Sequence, residues 1–395
     1  MKFNKWTLGL AAVGVVSLTS AARADETNMV MTALSATTIS GYVDVSAQFN
    51  PNGGGGAPNY TFGNKANGIN LNVVDIAIDK ALDESPWASG YHVEFWVGPD
   101  GNTLGVGNDI RQAYVLLRTP VGNGIDWKLG VFDSVIGYEG TTSGVNPNYS
   151  KSFGYNLEPT TATGLLGTYK ACDFITVQGG VANTMYAGGG AYSAAYNNGL
   201  YLPSFLGLVT FTAPESFGWA KGATVSAGGV TTSGNTGANG GITTGNGSGA
   251  TSYYAGFTLP TPCAALKFGG AFDYLNARDI SANSWALAAY GTYQFNDKLS
   301  LNVRADYLNA GGNAAVSGSL NGGAFFSPTG NDAQAQAITT TVQYALWANV
   351  LTRLEFRWDH VNGENPGNVG PGYTSNTGNN QSNAFMLAAQ AIYTF

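Results

Sequence analysis

Charge is scarce in this chain: Asp, Glu, Lys and Arg make up 10% of its 395 residues, against about 25% in an ordinary soluble domain. Cysteine and histidine are scarcer, two of each. Cys172 and Cys263 cannot build a disulfide framework; in an exported chain they form one optional bridge or stay free. The histidines offer little for catalysis. Asp359 and His360 are neighbours in a strand-like segment, so they point to opposite faces and make no dyad. His92 shares a face with Glu94, an arrangement more often found lining a pore than catalysing. The stretches "GNGSG" and "GGGG" lack the strand–helix context of a phosphate loop, and no Cys/His cluster has metal-ligand spacing. No cofactor, metal or catalytic residue is expected. Long apolar runs are missing too. Beyond the N-terminal segment no stretch of about 18 apolar residues occurs, which excludes helical membrane spans.

The N-terminus reads as an export signal. "MKFNKWTLGLAAVGVVSLTSAARADET" carries Lys2 and Lys5, an apolar stretch from Leu8 to Leu18, and "ARA" before Asp25. That order predicts a signal peptide over residues 1–24, cut after Ala24, with an uncleaved membrane anchor as the alternative. Removing it takes away Lys2, Lys5 and Arg23, so 17 basic residues fall to 14 against 24 acidic, a net charge of −10. A surface of that sign does not suit nucleic acid as a partner. Residues 25–36 are too short for a periplasmic domain, which leaves 37–395 as one unit.

What that unit has is glycine, 56 in the whole chain, and aromatics at 12%. Tyr, Phe, Trp and β-branched residues are too plentiful for disorder. Segments of about ten residues alternate between apolar and polar positions, as half-buried strands do. In "TISGYVDVSAQFN", Ile39, Val43, Val45, Ala47 and Phe49 share one face, and Ser40, Asp44, Ser46, Gln48 and Asn50 the other. Similar runs recur near 68–81, 90–98, 109–119, 124–134, 162–171, 173–183, 203–213, 217–230, 249–259, 263–275, 283–295, 298–309, 335–347, 350–361 and 383–395. The connections sort by parity. After even runs they are short, as in "PVGNG", "CD", "APES" and "PTP"; after odd runs most are long and rich in Gly and Asn, as in "TSGNTGANGGITTGNGSG". Short turns alternating with long loops are the pattern of an outer-membrane barrel. A soluble sandwich would not sort its loops this way. The expected fold is an all-β transmembrane antiparallel barrel of about sixteen strands, the count being open between 14 and 18.

Each face of these strands then acquires a role. Ionised Arg or Lys facing lipid costs about 2–4 kcal/mol at mid-depth, so the charged parity must face inward: Arg353, Glu355, Arg357 and Asp359; Arg304 and Asp306; Asp126 and Lys128; His92 and Glu94. These are the expected pore-lining residues, and a barrel of this size is wide enough for an aqueous channel. A lumen plugged by salt bridges is the alternative. On the lipid-facing parity, Trp127, Tyr293, Phe295, Tyr393 and Phe395 form one aromatic girdle, and Trp285, Trp358 and Phe385 the other. The longest connection, residues 134–162, carries Tyr138, Tyr149, Phe153, Tyr155 and Leu157. That much apolar surface predicts packing. Folding inward would make it a constriction loop, with Glu139, Lys151 and Glu158 near the eyelet beside Tyr149 and Tyr155; a cap on the outer rim or a subunit contact is the alternative.

Two stretches carry a family resemblance. "RQAYVLLRTPVGNGIDWKLGVFDSVIGYE" and "NPNYSKSFGYNLEPTTATGLL" resemble the β-barrel porin family described as porin-2, OmpL-like. The similarity is close over about residues 109–167. Elsewhere it is a matter of strand–loop pattern and a terminal aromatic. The resemblance implies an outer-membrane porin passing small hydrophilic solutes, with the bilayer as its environment and a homotrimer as one possible assembly; it leaves the solute open. The final strand "FMLAAQAIYTF" resembles the C-terminal signal read by barrel assembly machinery, with Phe395 as its last residue. A non-conducting barrel serving as anchor or surface binder is the competing function.

Overall fold

A computed structural model describes residues 37–51, 67–103, 110–183, 203–232, 249–277, 282–310, 333–362 and 382–395. The expected signal peptide, the segment 25–36 and most of the long connections lie outside them. Sixteen strands alternate with turns and loops: β1 (Thr38–Phe49), β2 (Gly68–Lys80), β3 (Ser89–Val97), β4 (Ile110–Thr119), β5 (Ile125–Asp133), β6 (Thr161–Cys172), β7 (Ile175–Ala182), β8 (Ser204–Thr212), β9 (Thr224–Thr232), β10 (Ala250–Pro260), β11 (Leu266–Ala277), β12 (Ala282–Gln294), β13 (Leu299–Ala310), β14 (Ala333–Trp347), β15 (Val350–Asn362) and β16 (Asn383–Thr394). A single helical turn, α1 (Pro99–Thr103), follows β3. None of the described helices is long and apolar enough to cross a membrane.

Each strand pairs antiparallel with its sequence neighbours, and β16 returns to β1, so the sheet closes on itself. The seam runs from Phe49 opposite Leu387 to Tyr42 opposite Thr394. Its last rung is made by the terminal residue: the Phe395 amide donates to Gly41 O at 3.0 Å, and the Gly41 amide donates to Phe395 O at 3.2 Å. Closure leaves no strand edge with unpaired backbone groups, which a bilayer would not tolerate.

Alternation decides the faces. In β15, Arg353, Glu355, Arg357 and Asp359 are buried inside while Leu354 and Phe356 are exposed outside. In β13, Arg304 and Asp306 are buried while Val303 faces out. In β16 the odd residues from Phe385 to Phe395 face out, with Met386, Gln390 and Ile392 inside.

The ninth strand starts later than its apolar pattern suggests. Periodicity places it from residue 217, but residues Glu215–Ala220 form a 3-10 turn and the strand begins at Thr224. Phe217 and Trp219 imitate alternation there; Gly218 and Gly222, at φ 60° and 76°, turn the chain instead.

Four register shifts break the strict period among the described strands; two, at Ala171 and Leu346, lie beside short turns, and the other two lie within the wall. Asn72 is an extra residue in β2, opposite the Asp44/Val45 step. Arg111 is an extra residue in β4, opposite Glu94/Phe95. A bulge inserts one residue without a partner and re-aims side chains. Asn72 and Val73 are therefore both buried, as are Arg111 and Gln112.

Candidate functional site

The β5–β6 connection is described throughout, and it lies within the barrel. Its ends are pinned where the Ser134 amide donates to Thr160 O at 2.8 Å. Asn146 ties one half together. Its side-chain nitrogen donates to the carbonyls of Gly140 and Thr142, and its oxygen accepts from the Gly140 amide. A 3-10 turn at Gly154–Asn156 shapes the other half.

The polar side of the loop sits on the wall of β13–β16. Arg304 Nη1 donates to Ser150 O at 2.6 Å and to Glu139 Oε1 at 2.9 Å; Nη2 reaches Lys151 O at 2.9 Å; Nε holds Asp306 at 2.7 Å. Arg357 grips Asp359 through Nε and Nη2, and donates from Nη1 to Lys151 O at 2.6 Å. Arg353 donates to the carbonyls of Ser143 and Asn146 and to the side chains of Gln343 and Gln390. Glu355 works in the opposite sense, accepting from the amides of Tyr149 at 2.6 Å and Ser150 at 2.9 Å. Asn148 donates to Thr341 on β14 at 2.7 Å, and the Tyr149 hydroxyl lies 3.0 Å from that of Ser46 on β1. A guanidinium has five donors and no acceptor, which suits it to bridge a carboxylate and several loop carbonyls at once.

The apolar side meets the rest of the circumference. Phe153 and Leu157 join a buried cluster that includes Phe132, Leu166, Leu206 and Leu275. Tyr155 packs with Tyr42, Val73 and Trp96, and Tyr149 with Met386 and Ala388. Tyr138 stacks on Tyr290 of β12 at 4.2 Å. Gly269 of β11 makes room for it, because a Cβ there would collide with the Tyr138 hydroxyl. Full burial of a Phe or Leu is worth about 1.5–3 kcal/mol, so this side also anchors the loop.

Two ionisable groups of the loop are displaced by this burial. Lys151 lies over the Tyr155 ring at 4.9 Å, and desolvation brings its ammonium down to about 8. Burial lifts Glu158 well above the usual carboxylate range, helped by Asp273 of β11, which it faces, and by Glu139, while Lys151 opposes the shift. A carboxyl raised in the docked state favours docking while it is protonated, and this contribution is lost as pH rises through the raised value. Loop protection from amide exchange, corrected for intrinsic rates, is therefore expected to fall as pH rises above about 4.3, the unperturbed Glu value. Glu158→Gln should remove that slope, and an unchanged slope in the variant would discard the assignment.

The wall of β2–β5 carries the second polar cluster. The Trp96 indole donates to Asp75 at 2.6 Å and Glu94 at 3.0 Å. Arg111 donates to Glu94 at 2.6 Å and to Asp133 at 2.8 Å, with its guanidinium 4.9 Å from the Trp96 ring centre. His92 Nδ1 meets Asp79, and its ring stacks on Tyr114 at 5.0 Å. Lys128 lies over the other part of this stack, 4.7 Å from the Tyr114 centre. Asp126 pairs with Arg118 at 2.6 Å near the short-turn end. Strict parity assigns Arg111 to the lipid side with Ala113 and Val115, which is why periodicity passes over it. The price of an arginine in lipid was the available signal for a bulge.

The outward aromatics are distributed over both rims. Trp127 lies over Gly167, with its indole donating to Thr119 at 3.0 Å. Trp358 donates to Asn383 at 3.0 Å, Trp285 lies 5.1 Å from Tyr307, and Phe385 lies 6.3 Å from Phe356. Tyr293 and Phe295 meet edge-on at 4.9 Å, and Tyr393 and Phe395 are half exposed. Trp87, Phe217, Trp219 and Trp347, all exposed in or beside short turns, extend the first rim; the first three sit outside the strands, and Trp347 follows a register shift at the end of β14, so strand parity does not mark them. Cys172 and Cys263 are both free thiols.

Comparison with known proteins places this architecture. The family described as "Putative beta-barrel porin-2, OmpL-like" matches residues 36–395. No curated relative matches the sequence. Similar solved structures include the outer membrane channel DcaP of Acinetobacter baumannii, at TM-score 0.59 and 12% identity over 91% of this chain and 97% of that one. The anion-selective porin from Comamonas acidovorans has TM-score 0.58 and 12% identity over 91% and 99%. OmpT of Vibrio cholerae in its trimer form has TM-score 0.53 and 14% identity over 91% and 99%.

Proposed function

The chain belongs to the β-barrel porin-2, OmpL-like family, and from that premise we propose that this outer-membrane porin passes small hydrophilic solutes by passive diffusion past the β5–β6 loop. The observation that carries the reading is the loop itself, held inside a closed barrel by Arg304, Arg353, Glu355 and Arg357. A loop fixed across a wide barrel sets the size limit for what passes. Glu139, Lys151, Glu158, Tyr149 and Tyr155 belong to this constriction, and the pore-lining charges are those of the inner parity. The arginines of β13 and β15 serve chiefly to hold the loop. Such a site works as a channel rather than an enzyme, through shape and field alone.

Export by removal of residues 1–24 fits the same reading, as does recognition of Phe395 by barrel assembly machinery. A homotrimer is the assembly we favour; OmpT, one of the similar structures, is described in a trimer form. Planar-bilayer recording tests the function. Purified protein should give stable, ohmic unitary steps. A bilayer that stays silent with correctly folded barrel would instead support a non-conducting surface or anchor role.

A further inference from the structure

Granting the channel reading above, on which this inference rests, we propose that the passage selects small cations over anions, and that Asp79 and Asp133 on the β2–β5 wall are specificity-determining residues.

The first observation is that the cations of the far wall are spent. Arg304, Arg353 and Arg357 are essentially inaccessible. Every guanidinium nitrogen of Arg304 and Arg353 and of Arg357 donates to a carboxylate, a side-chain oxygen or a loop carbonyl. Recognition of a passing anion needs free donors, and this row has given its donors to the loop. Lys151 likewise turns its ammonium to the Gly140 carbonyl.

The second observation is what remains on the opposite wall. Over β1–β5 the inward carboxylates are Asp44, Asp75, Asp79, Glu94, Asp126 and Asp133, against Arg111, Arg118 and Lys128 with His92. Even with the adjacent Asp75 and Glu94 counted as one charge, the sector stays negative. Exposure sharpens the contrast. The side chains of Asp79 and Asp133 are 35% and 37% accessible, whereas that of Arg111, between Glu94 and Asp133, is 1% accessible. Each carboxylate is the more accessible member of its pair with His92 or Arg111, and the guanidinium lies behind Asp133.

The third observation is unused hydrogen-bonding capacity. Among the described residues, buried carboxylate oxygens with no partner occur at Asp133, Asp273 and Asp306, against a single guanidinium nitrogen, Nε of Arg111. Among the charged groups, then, the leftover capacity is chiefly that of acceptors; the other unpartnered atoms include the neutral Asn302 amide nitrogen and several hydroxyls. Acceptors with net negative charge in a narrow passage concentrate cations and exclude anions.

The test is the zero-current potential of open channels formed by the purified full-length barrel under a KCl gradient. The expected sign is potassium over chloride, with the preference shrinking as salt screens the wall. Asp133→Asn and Asp79→Asn, which keep an acceptor and remove a charge, should each lower the potassium-to-chloride ratio by about two- to threefold, the effect of one unit charge several ångströms away in a largely aqueous medium. Lys170→Gln, exposed at the short-turn end of β6, should leave it unchanged. Open channels that prefer chloride, show no preference, or keep the wild-type ratio in both variants would overturn the proposal while leaving the channel reading intact. Absence of any conductance would overturn the channel reading itself.

Discussion

Arg304→Ala is expected to free the β5–β6 loop from the wall and to change the unitary conductance more than any other single substitution inside the barrel. Arg304 joins three things at once: the wall carboxylate Asp306, the loop carboxylate Glu139, and the loop carbonyls of Ser150 and Lys151. Truncation leaves both carboxylates buried without their shared cation. Removing one partner of a buried ion pair typically costs 3–5 kcal/mol, which shifts the docking equilibrium about a thousandfold. The barrel itself should survive, because β13 keeps its backbone ladders to β12 and β14. Heat-modifiable gel mobility checks that point. Larger and noisier steps, with protease cleavage between residues 141 and 156, are the expected result. Arg304→Lys should fall between, since it restores charge without the planar fork that serves several acceptors. Unchanged steps and an uncleaved loop would mean that the apolar side alone holds the loop, through Phe153, Leu157 and Tyr138.

How far the molecule could be read from its residues differs between the fold and the site. Strand number and closure were legible because lipid enforces a period of two and because the connections alternate in length. A charged row such as Arg353, Glu355, Arg357 and Asp359 has only one tolerable side. Inward placement, however, says nothing of partners. The guanidinia of β13 and β15 meet backbone carbonyls some 150 to 210 residues away in sequence, and carbonyls carry no residue-specific signature. Arg111 was hidden for a different reason. One extra residue in β4 reverses the parity locally, and a period of two read across a bulge assigns the wrong face. The false start of β9 has the same root: Phe217 and Trp219 alternate in sequence, but two glycines with positive φ spend that alternation on a turn.

Deletion of Phe395 is expected to reduce the amount of assembled barrel sharply while leaving the conductance of the assembled fraction unchanged. The residue closes the seam: it exchanges two backbone hydrogen bonds with Gly41, each worth about 1 kcal/mol net. Its half-buried ring lies against Gly41, where a Cβ would strike it, adding about half of the 1.5–3 kcal/mol of a fully buried Phe. Together these amount to about 3 kcal/mol at the one junction no turn holds together. Loss of the rung also leaves the Gly41 amide and carbonyl facing lipid unpaired, which the bilayer penalises further. If assembly machinery reads the terminal aromatic, the defect in cells exceeds the defect in detergent refolding, and comparing the two yields separates recognition from seam stability. Phe395→Tyr should restore both. The conductance is insulated because Phe395 lies on the outer face at the short-turn end, while the loop is held by Arg304, Arg353 and Arg357 inside. Wild-type yield from the deletion, in cells and in refolding alike, would show that the seam closes without its last rung and that Phe395 is only one more residue of the girdle.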